Sequence, residues 1–178
     1  MELRDKYRIA LLSAYAIGLH GFESLLPTPI PWLRLGLANI ITLITLLLYG
    51  IRPAITVTLI RVIVVSLFTG TFLGPAFILS LGGGITSTVA MGSIFYLSPR
   101  LFSVVGLSII GAFFHNITQV FLAYFLFIQR VEAIFLITPL ILLLGTVTGT
   151  VNGIVSDVLM RNLKNAGQKI QNVKQESG

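Results

Sequence analysis

The chain has 178 residues, 55% of them hydrophobic and 10% charged, with a formal net charge of +6 and no cysteine. Soluble domains carry roughly a quarter charged residues, and a mean hydropathy of +0.95 is more than so few charges can solvate. An ordinary soluble enzyme, a disordered chain and a secreted disulfide scaffold are therefore excluded, leaving an integral membrane protein with several spanning helices.

The first apolar segment is Tyr7–Leu26. It contains His20 and Glu23, ends in Pro27-Thr28-Pro29 and lacks a small-residue cleavage site, so it reads as a retained helix rather than a cleaved signal. Ala10, Ala14 and Gly18 recur at spacing four, forming a flat ridge on which another helix can lie closely; packing inside the bundle is the competing role. Trp32, beside Pro27, Pro29 and Pro31, stands at the outer end of the second segment. It serves there either as an interface anchor or as a rigid stacking surface over an outward-facing pocket.

Segment two is Leu35–Tyr49, closed by Gly50-Ile51-Arg52, and places Asn39, Thr42 and Thr45 three apart on one polar stripe. Segment three starts at Pro53, a favourable first-turn residue, and runs to Leu73, with Arg61 eight residues in, near mid-depth. A central arginine costs about 2.5–3.5 kcal/mol on insertion scales and does not readily lose its proton. It needs a carboxylate, carbonyls, water or an anionic ligand. Two readings stand: a structural pair, with Glu23 the acid within reach, or a counter-charge for a bound anionic group.

Segment four, Ala76–Leu97, carries Gly82-Gly83-Gly84 and then Thr86-Ser87-Thr88. No Lys-Ser/Thr follows the glycines, so they are not a phosphate loop; close helix approach or local unwinding fits better. Segment five, Leu101–Ile128, carries His115-Asn116-Ile117-Thr118-Gln119. His115 and Gln119 share a helix face with Asn116 beside them, a cluster suited either to a polar ligand or to bonds between helices. Segment six, Ala133–Met160, has Gly145, Gly149 and Gly153 at spacing four, a packing ridge, with structural roles for Asn152 and Asp157. Segments two and three are short for a ~30 Å hydrocarbon core. The apolar runs do not alternate, which argues against a barrel.

The expected architecture is an all-α membrane bundle: residues 1–160 form one six-helix transmembrane domain and 161–178 a polar cytoplasmic tail. The basic residues are gathered at the chain ends and in the gaps between segments, which argues for orientation charges rather than nucleic-acid binding. Nine (Arg4, Lys6, Arg8, Arg52, Arg100, Arg161, Lys164, Lys169, Lys174) fall on one side and two (Arg34, Arg130) on the other, which expects both termini in the cytoplasm.

The missing chemistry narrows function further. The two aspartates, Asp5 and Asp157, are far apart, so no acidic cluster holds magnesium and diphosphate. Zinc ligand sets are absent, and two histidines with few acids argue against any metal. The expectation is a chain without catalytic residues or cofactor, drawing energy from an ion gradient or a partner ATPase for any uphill transport. A stand-alone ion-coupled carrier is a further alternative, though no inverted repeat is visible.

The run Pro31-Trp32-Leu33-Arg34-Leu35-Gly36-Leu37-Ala38-Asn39-Ile40 resembles the P-G-x-K-L-G-L-A-N-I entry to the second helix of the Gx transporter family, also labelled heptaprenyl diphosphate synthase component I. Gly111, His115-Asn116 and Gln119 resemble that family's fifth helix. The departures are Trp32 for the usual glycine and Arg34 for lysine, which keeps the charge. The family is similar to the S components of energy-coupling factor (ECF) transporters. That resemblance implies six helices with both termini inside, and a small-residue ridge (Ala10, Ala14, Gly18) docking on a transmembrane coupling subunit. It also implies two cytoplasmic ATPases, toppling in the membrane to release cargo, and a pocket near the outer leaflet for a small vitamin or precursor. By position, Glu23, Trp32, Arg34, Asn39, Arg61, His115, Asn116 and Gln119 line that pocket. The alternative implied by the synthase label is a non-catalytic membrane subunit in isoprenoid or quinone synthesis.

Overall fold

The computed structural model describes residues 3–25, 36–98, 101–129 and 131–176. These form six helices in chain order: α1 (Leu3–Leu25), α2 (Ala38–Tyr49), α3 (Ile51–Phe68), α4 (Pro75–Leu97), α5 (Val104–Ala123) and α6 (Val131–Glu176). A π-helical turn, Tyr124–Ile128, prolongs α5, and there are no strands among the described residues.

Local chemistry sets the boundaries. Gly36 has φ +73° and Gly50 has φ +87°, backbone conformations that a side chain disfavours, and they bracket α2. The helix therefore starts three residues later than the hydropathy run at Leu35. The α2–α3 connection is a single residue: Gly50 N–H closes α2 on Leu46 O at 2.9 Å, and α3 begins at Ile51 with Pro53 in its first turn. Segment three was expected to run to Leu73, but α3 stops at Phe68. Thr71 N–H bonds to Ser66 O and Gly74 N–H to Thr71 O, each at 2.9 Å, in a tight turn. Hydropathy could not separate that turn from the helix because Phe72 and Leu73 lie within it. Pro75 then opens α4, and Ser103 Oγ caps α5 by accepting from Gly106 N–H at 3.1 Å. The polar stretch from Arg161 continues α6 as helix to Glu176, with Arg161 bridged to Asp157 at 2.8 Å.

Among the described residues, four helical stretches are long and apolar enough to cross a membrane: Ile51–Phe68, Pro75–Leu97, Val104–Leu126 and Leu136–Asn165. The protein is thus a multi-pass membrane protein. α1 is interrupted by Arg8, His20 and Glu23, and α2 has only 12 residues, about 18 Å at helical rise, so both fall outside that set. α3 packs on α1, α2 and α4; α5 lies between α4 and α6; α2 closes the bundle against α6. Leu43, Leu46, Ala54, Met91 and Leu107 form the core at the end where α2 finishes and α3 begins. Gly149 and Gly153 let α6 lie directly on α5. A Cβ added at Gly153 would meet Val105 Cα at 2.7 Å, and one at Gly149 would meet Ile109 Cα at 3.1 Å.

Candidate functional site

The polar side chains are concentrated at the other end of the bundle, where α1 and α3 finish and α2 and α4 begin. Five of the helices donate them, α4 through Ser80 alone. On α1, His20 and Glu23 are one turn apart and share a face; they are 5% and 3% exposed. On α2, Asn39 follows the Gly36 turn, and on α3 Arg61 is 4% exposed. His115 on α5 is also buried.

These groups line one cleft. Its wall is completed by Gly36, Val62 and Ser80. Arg61 Nη2 donates to Asn39 Oδ1 at 2.8 Å. Gly36 N–H donates to Glu23 Oε1, and Asn152 Nδ2 donates to Gly36 O at 3.1 Å. Gly36 therefore ties the end of α1 and the middle of α6 to the start of α2. The glycine triplet on α4 provides clearance. A Cβ on Gly83 would meet the His115 ring at 2.9 Å, and one on Gly84 would meet Thr58 Cγ2 at 3.0 Å and Arg61 Nη2 at 3.7 Å. Close approach, one of the two roles the sequence allowed for these glycines, is what the geometry shows.

A fully buried row of hydroxyls crosses the same helices. Thr42 and Thr58 are 3.3 Å apart, Thr58 and Thr88 3.1 Å apart, and Thr88 Oγ1 donates to Gly84 O at 2.8 Å. The row joins α2, α3 and α4 without charge.

The structure brings together Glu23, Asn39, Arg61 and His115 from the expected set on one wall. Asn116 and Gln119 are buried elsewhere. Asn116 Nδ2 donates to Ile141 O at 3.3 Å, at the crossing of α5 and α6, and Gln119 lies beside Gly83. Trp32 and Arg34 lie outside the described residues. His20 and Ser80 join the wall without having been singled out. The one sequence signal for His20 was its spacing of three from Glu23; a lone serine such as Ser80 gives none. Ala10, Ala14 and Gly18 all lie exposed on α1, among the exposed Tyr7, Leu11, Tyr15 and Phe22. Among the described residues, no group of three His, Asp or Glu is placed to hold a metal ion.

A second cleft shares His20, Val62 and Ser80 with the first and continues toward the α3–α4 turn past Val65, Phe77 and Thr71. The basic side chains Lys6, Arg8, Arg52, Arg161 and Lys164 are exposed at the opposite end.

The fold has a solved counterpart. A structure described as the S component of a bacterial ECF transporter matches with a TM-score of 0.66 and 22% identity, covering 88% of this chain and 93% of that one. No curated protein matches the sequence. The family model described as heptaprenyl diphosphate synthase component I matches residues 12–159, a span from the first helix to the end of the apolar part of the sixth. On that match the chain belongs to the heptaprenyl diphosphate synthase component I family.

Proposed function

We propose that the protein is the substrate-capture subunit, S-component-like, of an ECF-type transporter for a small polar molecule such as a vitamin or precursor. The observation that carries this reading is the buried cavity walled by His20, Glu23, Asn39, Arg61 and His115 inside a fold shared with an S component. Each of those groups is costly at membrane depth, and their convergence on one space is what ligand capture requires. The charge bias supports placing the basic end in the cytoplasm. The cavity then faces outward, and the protein resides in the cell membrane with both termini inside.

In this reading residues 1–160 are the membrane domain and 161–178 its cytoplasmic extension. Trp32 and Arg34 belong to the pocket on the strength of the resemblance, while Asn116 serves the contact of α5 with α6. The chain performs no chemistry. Energy comes from two cytoplasmic ATPases through a transmembrane coupling subunit, which lies on the exposed ridge of Ala10, Ala14 and Gly18. The test is co-expression with such a coupling subunit. Ala14→Trp is expected to cut recovery of the complex at least tenfold while leaving any co-purifying small molecule in place. Undiminished recovery refutes the docking assignment.

The family description favours a second reading, an accessory membrane subunit of a prenyl diphosphate synthase. The charged and polar side chains that line the cleft, His20, Glu23, Asn39, Arg61 and His115, suit a small polar ligand better than a long isoprenoid chain. Co-purification with a prenyl synthase, together with altered product length on its removal, establishes that reading instead.

A further inference from the structure

We infer that Asn152, on α6, is a positioning residue for the cleft: it acts through Gly36 on Glu23, Asn39 and Arg61, and so sets where that wall stands relative to His115. This rests on the substrate-capture reading above and gives a part in capture to a side chain that stands behind the cleft wall.

Asn152 is 4% exposed in a stretch of α6 apolar enough to cross a membrane, where a buried amide is costly unless it is hydrogen-bonded. Its Nδ2 donates to Gly36 O at 3.1 Å. The same carbonyl accepts from Asn39 N–H at 2.8 Å, the bond that opens α2. Gly36 O is therefore satisfied by the backbone alone. What the second donor adds is direction, a bond reaching the first turn of α2 from a different helix.

Gly36 passes that restraint to the cleft. Its N–H donates to Glu23 Oε1. Three residues on, Asn39 Oδ1 accepts from Arg61 Nη2 at 2.8 Å. Side chains from α1, α2 and α3 that line the cleft are thus linked through one glycine, and a shift of that glycine moves them together.

The opposite wall is tied to α6 in another way. A Cβ on Gly153 would meet Val105 Cα at 2.7 Å and one on Gly149 would meet Ile109 Cα at 3.1 Å, so the glycines on either side of Asn152 seat α6 on the backbone of α5. α5 in turn carries His115 to the cleft. Where α6 meets α2, Met160 packs with Ile40 and Ile44, and Leu37 and Leu47 lie against them. Apolar surfaces of this kind set no register in a bilayer, because lipid tails are as apolar as the side chains. A buried asparagine does set register. The bond from Asn152 to Gly36 therefore fixes α2, and with it Arg61, relative to His115.

The experiment uses the full chain in mild detergent on wild-type, Asn152→Leu and Asn152→Asp backgrounds. The chain has no cysteine, so one is added at a time. Ser80→Cys reports the cleft wall, and Ala54→Cys reports the buried core at the other end of the bundle. The probe is N-ethylmaleimide, with the labelling rate followed by mass spectrometry. Asn152→Asp removes the N–H donor at nearly constant shape and covers the case in which Asn152→Leu fails to fold. Ser80→Cys is expected to label roughly three- to tenfold faster in both variants, with Ala54→Cys at its wild-type rate. Both rates rising together means general loosening and overturns the inference, as does an unchanged rate at Ser80→Cys. Small molecules carried through purification by the chains without added cysteine are counted in parallel. Equal, non-zero amounts in wild type and Asn152→Leu also overturn the inference. None in wild type overturns the capture reading, and the labelling rates then decide whether Asn152 positions the cleft.

Discussion

Gly36 illustrates how much one residue carries in this fold. Its φ of +73° lies where a Cβ costs about 1–2 kcal/mol. A Cβ there would also sit 3.3 Å from Asn39 Nδ2 and 3.6 Å from Asn152 Nδ2. Its N–H meets Glu23 and its carbonyl meets Asn152. Gly36→Ala is therefore expected to lower stability by about 1–2 kcal/mol, read as a lower melting temperature in detergent, and to weaken ligand retention by shifting Glu23. Thr58 is the second such residue, bonded to Thr42 on one side and Thr88 on the other. Thr58→Val keeps the shape and removes the hydroxyl, and is expected to cost about 0.5–1.5 kcal/mol. Thr58→Ser should recover most of that in the same melt. At this scale the sequence was informative about residue type and less so about direction. Arg61, Asn39 and His115 stood out because polar groups in apolar runs are few. Asn116 stood out for the same reason, yet it serves the contact of α5 with α6 through Ile141 O. A hydrogen bond to a helix carbonyl and one to a ligand call for the same amide, so composition alone does not separate them.

The elements divide by which glycines are covered. On α6, the backbone of α5 stands within 2.7 Å of a Cβ built on Gly153 and within 3.1 Å of one on Gly149. On α1, nothing lies within 4 Å of a Cβ on Gly18 or Gly21. Gly153→Leu should force α6 away from α5 and sharply lower the yield of monodisperse protein. Gly18→Ala should leave the stability of the isolated chain within about 0.5 kcal/mol of wild type. If Gly18→Ala proves as damaging as Gly153→Leu, the α1 ridge is internal and does not await another helix. Helix existence was plain from the apolar runs, and helix ends were not. The turn after α3 contains Phe72 and Leu73, which read as helix by hydropathy, and only its backbone bonds, such as Thr71 N–H to Ser66 O at 2.9 Å, mark it. The π-helical turn at Tyr124–Ile128 likewise left no compositional trace in a run of aromatic and aliphatic residues.

Across the whole molecule, charge and cavity sit at opposite ends. Lys6, Arg8, Arg52, Arg161 and Lys164 crowd one end, and the Arg61 cavity lies toward the other. The natural chain has no cysteine, so single-cysteine labelling needs no background removal. Thr71→Cys is expected to react with a membrane-impermeant maleimide in intact cells, and Lys164→Cys only after permeabilisation; the reverse pattern inverts the proposed orientation. The expected orientation comes from the lysine and arginine pattern alone. The convergence of α1, α2, α3 and α5 on one space was expected from the family resemblance and not from periodicity, because it depends on how the helices rotate against each other, and buried helices that are apolar all round carry little periodic signal.

The sixth helix carries a mechanical consequence. Its 46 residues make a rod of about 69 Å at helical rise, more than twice the ~30 Å hydrocarbon thickness. A rod longer than the slab that holds it works as a lever arm. Any rocking of the bundle that is small at Asn152 becomes a wide sweep at Glu176, so the far tip is the place to mount a spectroscopic reporter of motion.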